Sequence, residues 1–347
     1  MKITTLILMA LFTPIAFSQV QLNDSLQLSG FGSFSLARTN QDTPIFTKRM
    51  INNDWCFDCD TILGAQLDLD FSPQLRSSIQ VVKRPQDDFS EPELEWAFIS
   101  YQFNDFNIKL GRLRLPLFMM SEYYYVSHAY PWIRPPQDVY ESILGITHYD
   151  GLSFGWDHWM TDDMQLHLSP FVTVPHEQHY NAYGLQLSIK SHYTFGLSAD
   201  IYYDDNAIRL AYLKSSYTQT LSQDERTDEE IDMISLGWNQ YFHGFNLLIE
   251  TVFTKELHSN WYISVDKTWN NWTPYCQYSQ QRRIASSESL LCGVKYSLLA
   301  NLSINMEFQH IYGQKNALNG HFTQIQKPED GIENEVQLYT LGLSFTF

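Results

Sequence analysis

Roughly every ten residues this chain repeats one physical unit, a run of alternating apolar and polar side chains that ends in a turn. Leu63, Ala65, Leu67, Leu69 and Phe71 alternate with Gln66, Asp68 and Asp70. After Ser72-Pro73-Gln74 the pattern resumes, with Leu75, Ser77, Ile79 and Val81 set against Arg76, Ser78 and Gln80. Upstream, Leu26, Leu28, Phe34 and Leu36 share one parity, and Gln27, Ser29, Ser33 and Ser35 the other. A period of two makes a strand with one apolar and one polar face. In a membrane barrel the apolar face meets lipid and the polar face lines the interior.

Further runs lie near Glu93–Phe103, Phe106–Leu115, Leu152–Trp159, Met164–Val174, Thr194–Tyr203, Ala207–Thr218 and Ile231–Tyr241. Others follow near Phe245–Lys255, Trp261–Trp269, Trp272–Gln280, Leu290–Leu298, Leu302–Tyr312 and Glu335–Phe347, for about 16 strands in all. Tyr183–Ile189 also alternates and is either part of a long loop or a strand. Short links (Ser72–Gln74, Asn104-Asp105, Thr161–Asp163, Asp204–Asn206, Phe242–Gly244, Asn270-Asn271, Leu299–Asn301) interleave with long ones. The long links are Thr39–Asp60, Arg84–Pro92, Pro116–Asp150, Pro175–Tyr193, Leu221–Glu230, Gln281–Ser289 and Gly313–Asn334; Leu257–Asn260 is a brief exception. Short turns at one end and long loops at the other suit a closed barrel better than a soluble sandwich. The expected fold is thus all-β, a transmembrane antiparallel β-barrel with its long third loop folded into the lumen.

Residues 1–18 read as a secretory signal peptide: Lys2, an apolar run from Leu6 to Phe17, and Ala16-Phe17-Ser18 as the cleavage site. The remaining 19–347 form one barrel domain, with no later run long enough for a membrane helix. A formal charge of −17 argues against a nucleic-acid partner. The 15% of aromatic residues finds a use in interfacial girdles. Phe71, Phe103, Phe106, Tyr203, Tyr241, Phe245, Trp269 and Trp272 all lie beside short turns.

The segment 116–150 breaks the alternation and carries Phe118, Tyr123, Tyr124, Tyr125, Tyr130, Trp132, Pro131, Pro135 and Pro136. It is too apolar to stand free in water, and ordered loops of this length are usually functional. Its expected place is inside the barrel as the constriction; a lid over the mouth or an oligomer contact are the other options. Arg76, Arg112, Arg114 and Arg134 would then face Glu122, Asp138 and Glu141, with Tyr124 and Trp132 among the pore-lining aromatics. Opposed rows of charge in a narrow passage select solutes by charge and orientation. The same arginines could instead pin the loop through ion pairs. Parity is ambiguous here: Leu94, Trp96 and Phe98 oppose Glu93 and Glu95, while Arg112 and Arg114 share parity with Phe106, Ile108 and Leu110. A bulge is needed to aim these side chains sensibly.

At the C-terminus Tyr339, Leu341, Leu343, Phe345 and Phe347 share one face, and Phe345 and Phe347 are the candidates for barrel closure. The sheet must close, since an open edge cannot face lipid. The four cysteines suit an oxidising compartment, with Cys56–Cys59 and Cys276–Cys292 as candidate disulfides; the Cys-x-x-Cys pair also admits a redox or half-metal role. The scattered histidines form no zinc motif, phosphate-cradling glycine loops are missing, and no cofactor is expected. The acidic run Asp224–Asp232 reads as a solvated face or a weak cation holder.

The stretches LSGFGSF (Leu28–Phe34), PELEWAFIS (Pro92–Ser100), LGRLRLPLF (Leu110–Phe118), YPWIRPP (Tyr130–Pro136) and Tyr149-Asp150-Gly151 resemble the 16-stranded Gram-negative outer-membrane porins, more narrowly a proteobacterial porin-like family. The resemblance implies an outer-membrane channel for passive diffusion of small hydrophilic solutes or ions, with an inward third loop and a homotrimer. It also implies contact with lipid and lipopolysaccharide, and a terminal Phe read by barrel-assembly machinery. Arg76, Arg112, Arg114, Asp138 and Glu141 are the nearest counterparts of that family's pore charges. A channel selective for sugars or organic anions is the alternative. A non-conducting structural or adhesive barrel comes next, and a barrel enzyme is disfavoured because no catalytic array accompanies His258 or His310.

Overall fold

The computed structural model describes residues 20–85, 91–143, 147–182, 185–221, 225–255, 257–283, 286–313, 321–323 and 334–347. The expected signal peptide lies outside them. The first strands are β1 (Val20–Asn23), β2 (Leu26–Thr39), β3 (Ile62–Asp70), β4 (Leu75–Lys83), β5 (Glu93–Phe103) and β6 (Phe106–Arg114). After a segment holding three 3-10 turns and one α-helical turn, α1 (Gln137–Tyr140), come β7 (His148–Thr161), β8 (Met164–Thr173), β9 (Glu177–Ala182), β10 (Leu185–Tyr203), β11 (Asn206–Leu221) and β12 (Glu225–Phe242). The rest are β13 (Phe245–Thr254), β14 (Ser259–Asp266), β15 (Trp272–Gln281), β16 (Ser287–Leu299), β17 (Leu302–Gly313) and β18 (Glu335–Thr346).

Antiparallel pairing runs from β2 to β8, on through β10 to β18, and back from β18 to β2, closing a 16-stranded barrel. The short β1 pairs with the start of β2, and β9 pairs with β10 beyond the end of β8. Closure is carried by the residues picked out from sequence. Phe347 and Gly30 exchange both backbone hydrogen bonds at 2.9 Å. Leu343 stands opposite Phe34 and Phe345 opposite Gly32. The Phe345 and Phe347 rings lie over Gly32 and Gly30, where a Cβ would meet ring carbons at 2.6 and 2.3 Å. Aromatic rings covering glycines on the neighbouring strand restore packing that glycine alone lacks.

The alternation is realised as an exposed apolar outer face, for example Leu67, Ile79, Ile99, Leu110, Leu152 and Val172, over a polar inner face. Phe71, Phe103, Phe106, Tyr241, Phe245, Trp269 and Trp272 are exposed at the short-turn rim. Tyr203 is half-buried, with its hydroxyl on Gln240 at 2.9 Å. Asn104, Asp204, His243 and Asn270 adopt left-handed φ of 48–52° at the first position of their turns. Two-residue hairpins require a left-handed residue there, which explains their Asn, Asp and His-Gly sequences.

Two connections read as loops are largely strand. The stretches 175–193 and 221–230 contribute to β9, β10 and β12, and Leu185–Ile189 belongs to β10. Beyond the apolar belt both faces of a strand meet water. The ladder continues while the period-two apolar signal disappears, so pattern alone ends these strands too early.

The parity conflict near the third loop is resolved by a bulge. The register between β4 and β5 shifts between Gln80 and Val81, leaving Glu95 unpaired beside Trp96. Glu95 is fully buried, and Trp96 donates to Ser78 on the inner face at 3.0 Å.

Candidate functional site

Residues 117–142 make hydrogen bonds to side chains on each of β11 to β18. The Met119 amide donates to Glu250 Oε1 at 2.7 Å, and Glu250 Oε2 accepts from the Tyr140 and Tyr262 hydroxyls. Met119 lies over Gly237, where a Cβ would meet its Cγ at 2.5 Å, so a larger residue there would displace the Met119 side chain. Arg209 donates to the Phe118 carbonyl and to both oxygens of Glu122, the latter at 3.3 Å. Lys295 donates to the carbonyls of His128 and Tyr130 at 2.6 and 3.0 Å, and Asn305 to that of Pro131 at 2.5 Å.

Behind these bonds is an apolar cluster. Leu117, Phe118, Trp132 and Tyr140 pack with Leu213, Leu248, Tyr262 and Tyr275 of the wall. Tyr124 stacks on Tyr140 with ring centroids 5.6 Å apart. Trp132 meets Tyr262 edge-on at 6.1 Å. Both expected aromatics therefore sit in packing. The Trp132 indole N–H finds no partner among the described residues.

Arg134 and Arg49 converge on one carboxylate. Asp60 accepts from Arg49 Nε at 2.7 Å and from Arg134 Nη1 at 2.6 Å, and all three side chains are buried. Arg134 also reaches Glu307 at 3.5 Å and Thr340 at 2.8 Å. Arg49 reaches Glu141 at 2.9 Å and Gln137 at 2.8 Å. The cluster joins the first long loop, the third loop and the wall. Burial alone would raise the Asp60 carboxyl; Arg134 and Arg49 outweigh it and hold the group below its ordinary value.

Asp138 is fully buried. Its carboxylate accepts from Ser279 at 2.6 Å and meets His321 Nε2 at 3.1 Å, while Asn260 donates to its carbonyl at 2.8 Å. Burial would push Glu141 up, and although Arg49 opposes this, the group stays above its ordinary value.

The structure does not gather the predicted arginines into one row. Arg76 pairs with Asp70 at 2.9 Å near a short turn, well exposed and apart from the loop. Arg112 pairs with Asp150 through bonds of 2.8 and 3.0 Å. Register places both on the outward parity of Leu110 and Leu152. Arg112 is thus engaged by the Asp150 carboxylate and by the Leu94 carbonyl, the latter at 3.1 Å. Its neighbour Gly111 has φ +134°, and a Cβ there would meet the Ala97 carbonyl at 2.3 Å, so only glycine suits this crossing. Arg114 does turn to the inner side. It pairs with Glu95 at 2.5 Å and lies 4.7 Å above the Tyr125 ring. Glu122 remains the half-open carboxylate of the segment, with 54% of its side chain exposed.

Sequence reasoning passed over Asp60, Arg49, Glu250, Glu307, Arg209 and His321. Glu250 and Glu307 carried a signal, a carboxylate on the inward parity of an otherwise regular strand. Arg49, Asp60 and His321 lie in loops, where no periodicity marks them.

Both cysteine pairs are disulfides, with Cα–Cα distances of 5.8 Å for Cys56–Cys59 and 4.2 Å for Cys276–Cys292. Cys276 and Cys292 stand directly opposite each other on β15 and β16. Among the described residues, the one group with metal-ligand proximity is Cys56, Asp58 and Cys59, whose two sulfurs are bonded to each other.

No family model matches the chain, and no curated protein matches it. Solved structures do. Salmonella typhi OmpF in complex with daunomycin aligns over 95% of this chain and 100% of its own, with 10% identity and a TM-score of 0.65. An anion-selective porin from Comamonas acidovorans aligns over 93% and 99%, with 11% identity and a TM-score of 0.63. The outer-membrane channel DcaP of Acinetobacter baumannii aligns over 95% and 100%, with 11% identity and a TM-score of 0.61. Closure, loop alternation and these likenesses agree: the chain has the fold of the 16-stranded outer-membrane porins.

Proposed function

We propose that the protein is a passive channel of a Gram-negative outer membrane, with the segment 116–150 folded into the lumen as its constriction. It passes small hydrophilic solutes or ions and carries out no covalent chemistry. One contrast supports this reading. The loop buries the inner face of β11 to β18, yet inward side chains on β6 to β8, among them Lys109, Asp157 and His167, keep contact with water. Water that reaches the inner wall beside an anchored loop leaves a route for diffusion.

Lipid and lipopolysaccharide would surround the apolar belt, a homotrimer would form in the membrane, and assembly machinery would read Phe347. The test is ion conductance after reconstitution in planar bilayers. Steps above background support the channel, and a folded barrel that never conducts overturns it.

A second reading has its own observation. Packing of Leu117, Phe118, Trp132 and Tyr140 against the wall is what a plugged, non-conducting structural barrel would need. That reading requires background conductance from the intact chain and current only once residues 118–140 are deleted.

A further inference from the structure

Directly paired positions on four strands form one row across the inner face. Asp157 on β7 stands opposite His167 on β8, His167 opposite Asp200 on β10, and Asp200 opposite Arg209 on β11. The row has a closed half and an open half. Arg209 and Asp200 are buried and bonded at 2.5 Å, with the loop's Glu122 seated on the guanidinium. Asp157 and His167, 2.9 Å apart, keep 36% and 30% side-chain exposure. Asp200 is 3% exposed, and its second oxygen has no hydrogen-bond partner among the described residues.

Charge is unbalanced along this row. Arg209 is one fixed cation against the carboxylates of Asp157, Asp200 and Glu122. The opposing charge on the adjoining strand is Lys109, whose ammonium lies 5.7 Å above the Phe98 ring. A carboxylate open to water in a walled passage concentrates cations and repels anions.

We infer that the row Asp157–His167–Asp200–Arg209, with Glu122 above it, is the charge-selecting step of the passage and favours monovalent inorganic cations and small organic ammonium ions. This rests on the channel reading. Asp157 and Glu122 are the open carboxylates that a passing cation meets. Buried Asp200 fixes Arg209 and so positions Glu122. The selecting charge is thereby moved away from Arg112, which lies on the outward parity.

The test is the reversal potential of single barrels in a potassium chloride gradient. The variants are Asp157→Asn, Glu122→Gln and their combination, with Asp228→Asn, an exposed residue on the far extension of β12, as control. Circular dichroism verifies folding. The potassium-to-chloride permeability ratio should fall about twofold or more for each charge removed. The control should keep the wild-type ratio. A double variant with an unchanged ratio, or a wild-type barrel that prefers chloride, overturns the assignment while conductance stands. A barrel with no conductance overturns the channel reading itself, and this inference with it.

Discussion

His321 Nε2 lies 3.1 Å from Asp138 Oδ1, and both side chains are buried. The pair joins the last long loop to the third. Burial alone would lower the imidazole pKa; the Asp138 carboxylate and its hydrogen bond reverse this and raise it. Burial would likewise raise Asp138, but His321 and the Ser279 hydroxyl bring it below its ordinary value. The stabilisation from His321 is complete below an unfolded histidine pKa of about 6.5 and is lost as pH rises through the elevated folded value. The share from Asp138 is present above about 3.9 and is lost as pH falls through its depressed folded value. Thermal unfolding of the purified barrel should therefore be most resistant between these limits. His321→Gln should flatten the alkaline side of that profile. An unchanged profile would show that the pair does not hold the loop.

Asp60 shared between Arg49 and Arg134 gives a second outcome. Removing one partner of a buried ion cluster leaves charge uncompensated and costs about 3–5 kcal/mol. Arg134→Ala should lower urea resistance by that order and loosen the third loop, seen as faster proteolysis within 116–140. Replacing exposed Arg76 should change stability by less than about 1 kcal/mol. Equal effects at the two positions would contradict the burial difference between them.

The two arginines before the third loop should behave differently. Arg112→Ala removes an outward-parity pair with Asp150 and should leave the reversal potential unchanged. Arg114→Ala frees Glu95 on the inner side and should move selectivity toward cations. A shift produced by Arg112→Ala alone would place that side chain in the passage after all.

Barrel closure should be sensitive to the smallest side chains. Gly30→Val puts a branched residue where the Phe347 ring already lies, with a Cβ clash at 2.3 Å. The folded fraction recovered in detergent should fall sharply. Phe345→Ala leaves Gly32 uncovered and should lower the folded fraction too, by less than loss of a core phenylalanine would, because the ring is only partly buried.

The Cys276–Cys292 bridge spans two strands already paired along β15 and β16. Replacing both cysteines with serine should lower the unfolding free energy by up to about 3 kcal/mol in a chain-entropy account. Conductance should be unaffected, because Cys276 lies on the exposed outer parity. A change in conductance would mean that the bridge shapes the interior.

Sequence by itself determined the barrel. Alternation such as Leu63 to Phe71 follows from a strand with lipid on one side and a polar interior on the other. Strand count and closure at Phe345 and Phe347 rest on the same local rule, which needs no knowledge of distant residues. Where both faces meet water, as in the outer part of β10 to β12, the rule falls silent and the apolar pattern stops short of the strand ends. Tertiary structure alone decided the site. Arg112 and Arg114 are two residues apart, yet one meets Asp150 on the outward parity and the other Glu95 on the inner side. The bulge on β5 leaves Glu95 outside the regular pairing, and Arg114 follows that buried carboxylate. Asp60, Glu250 and His321 entered the site from loops and strands far along the chain, because a buried charge is held only where partners converge in space.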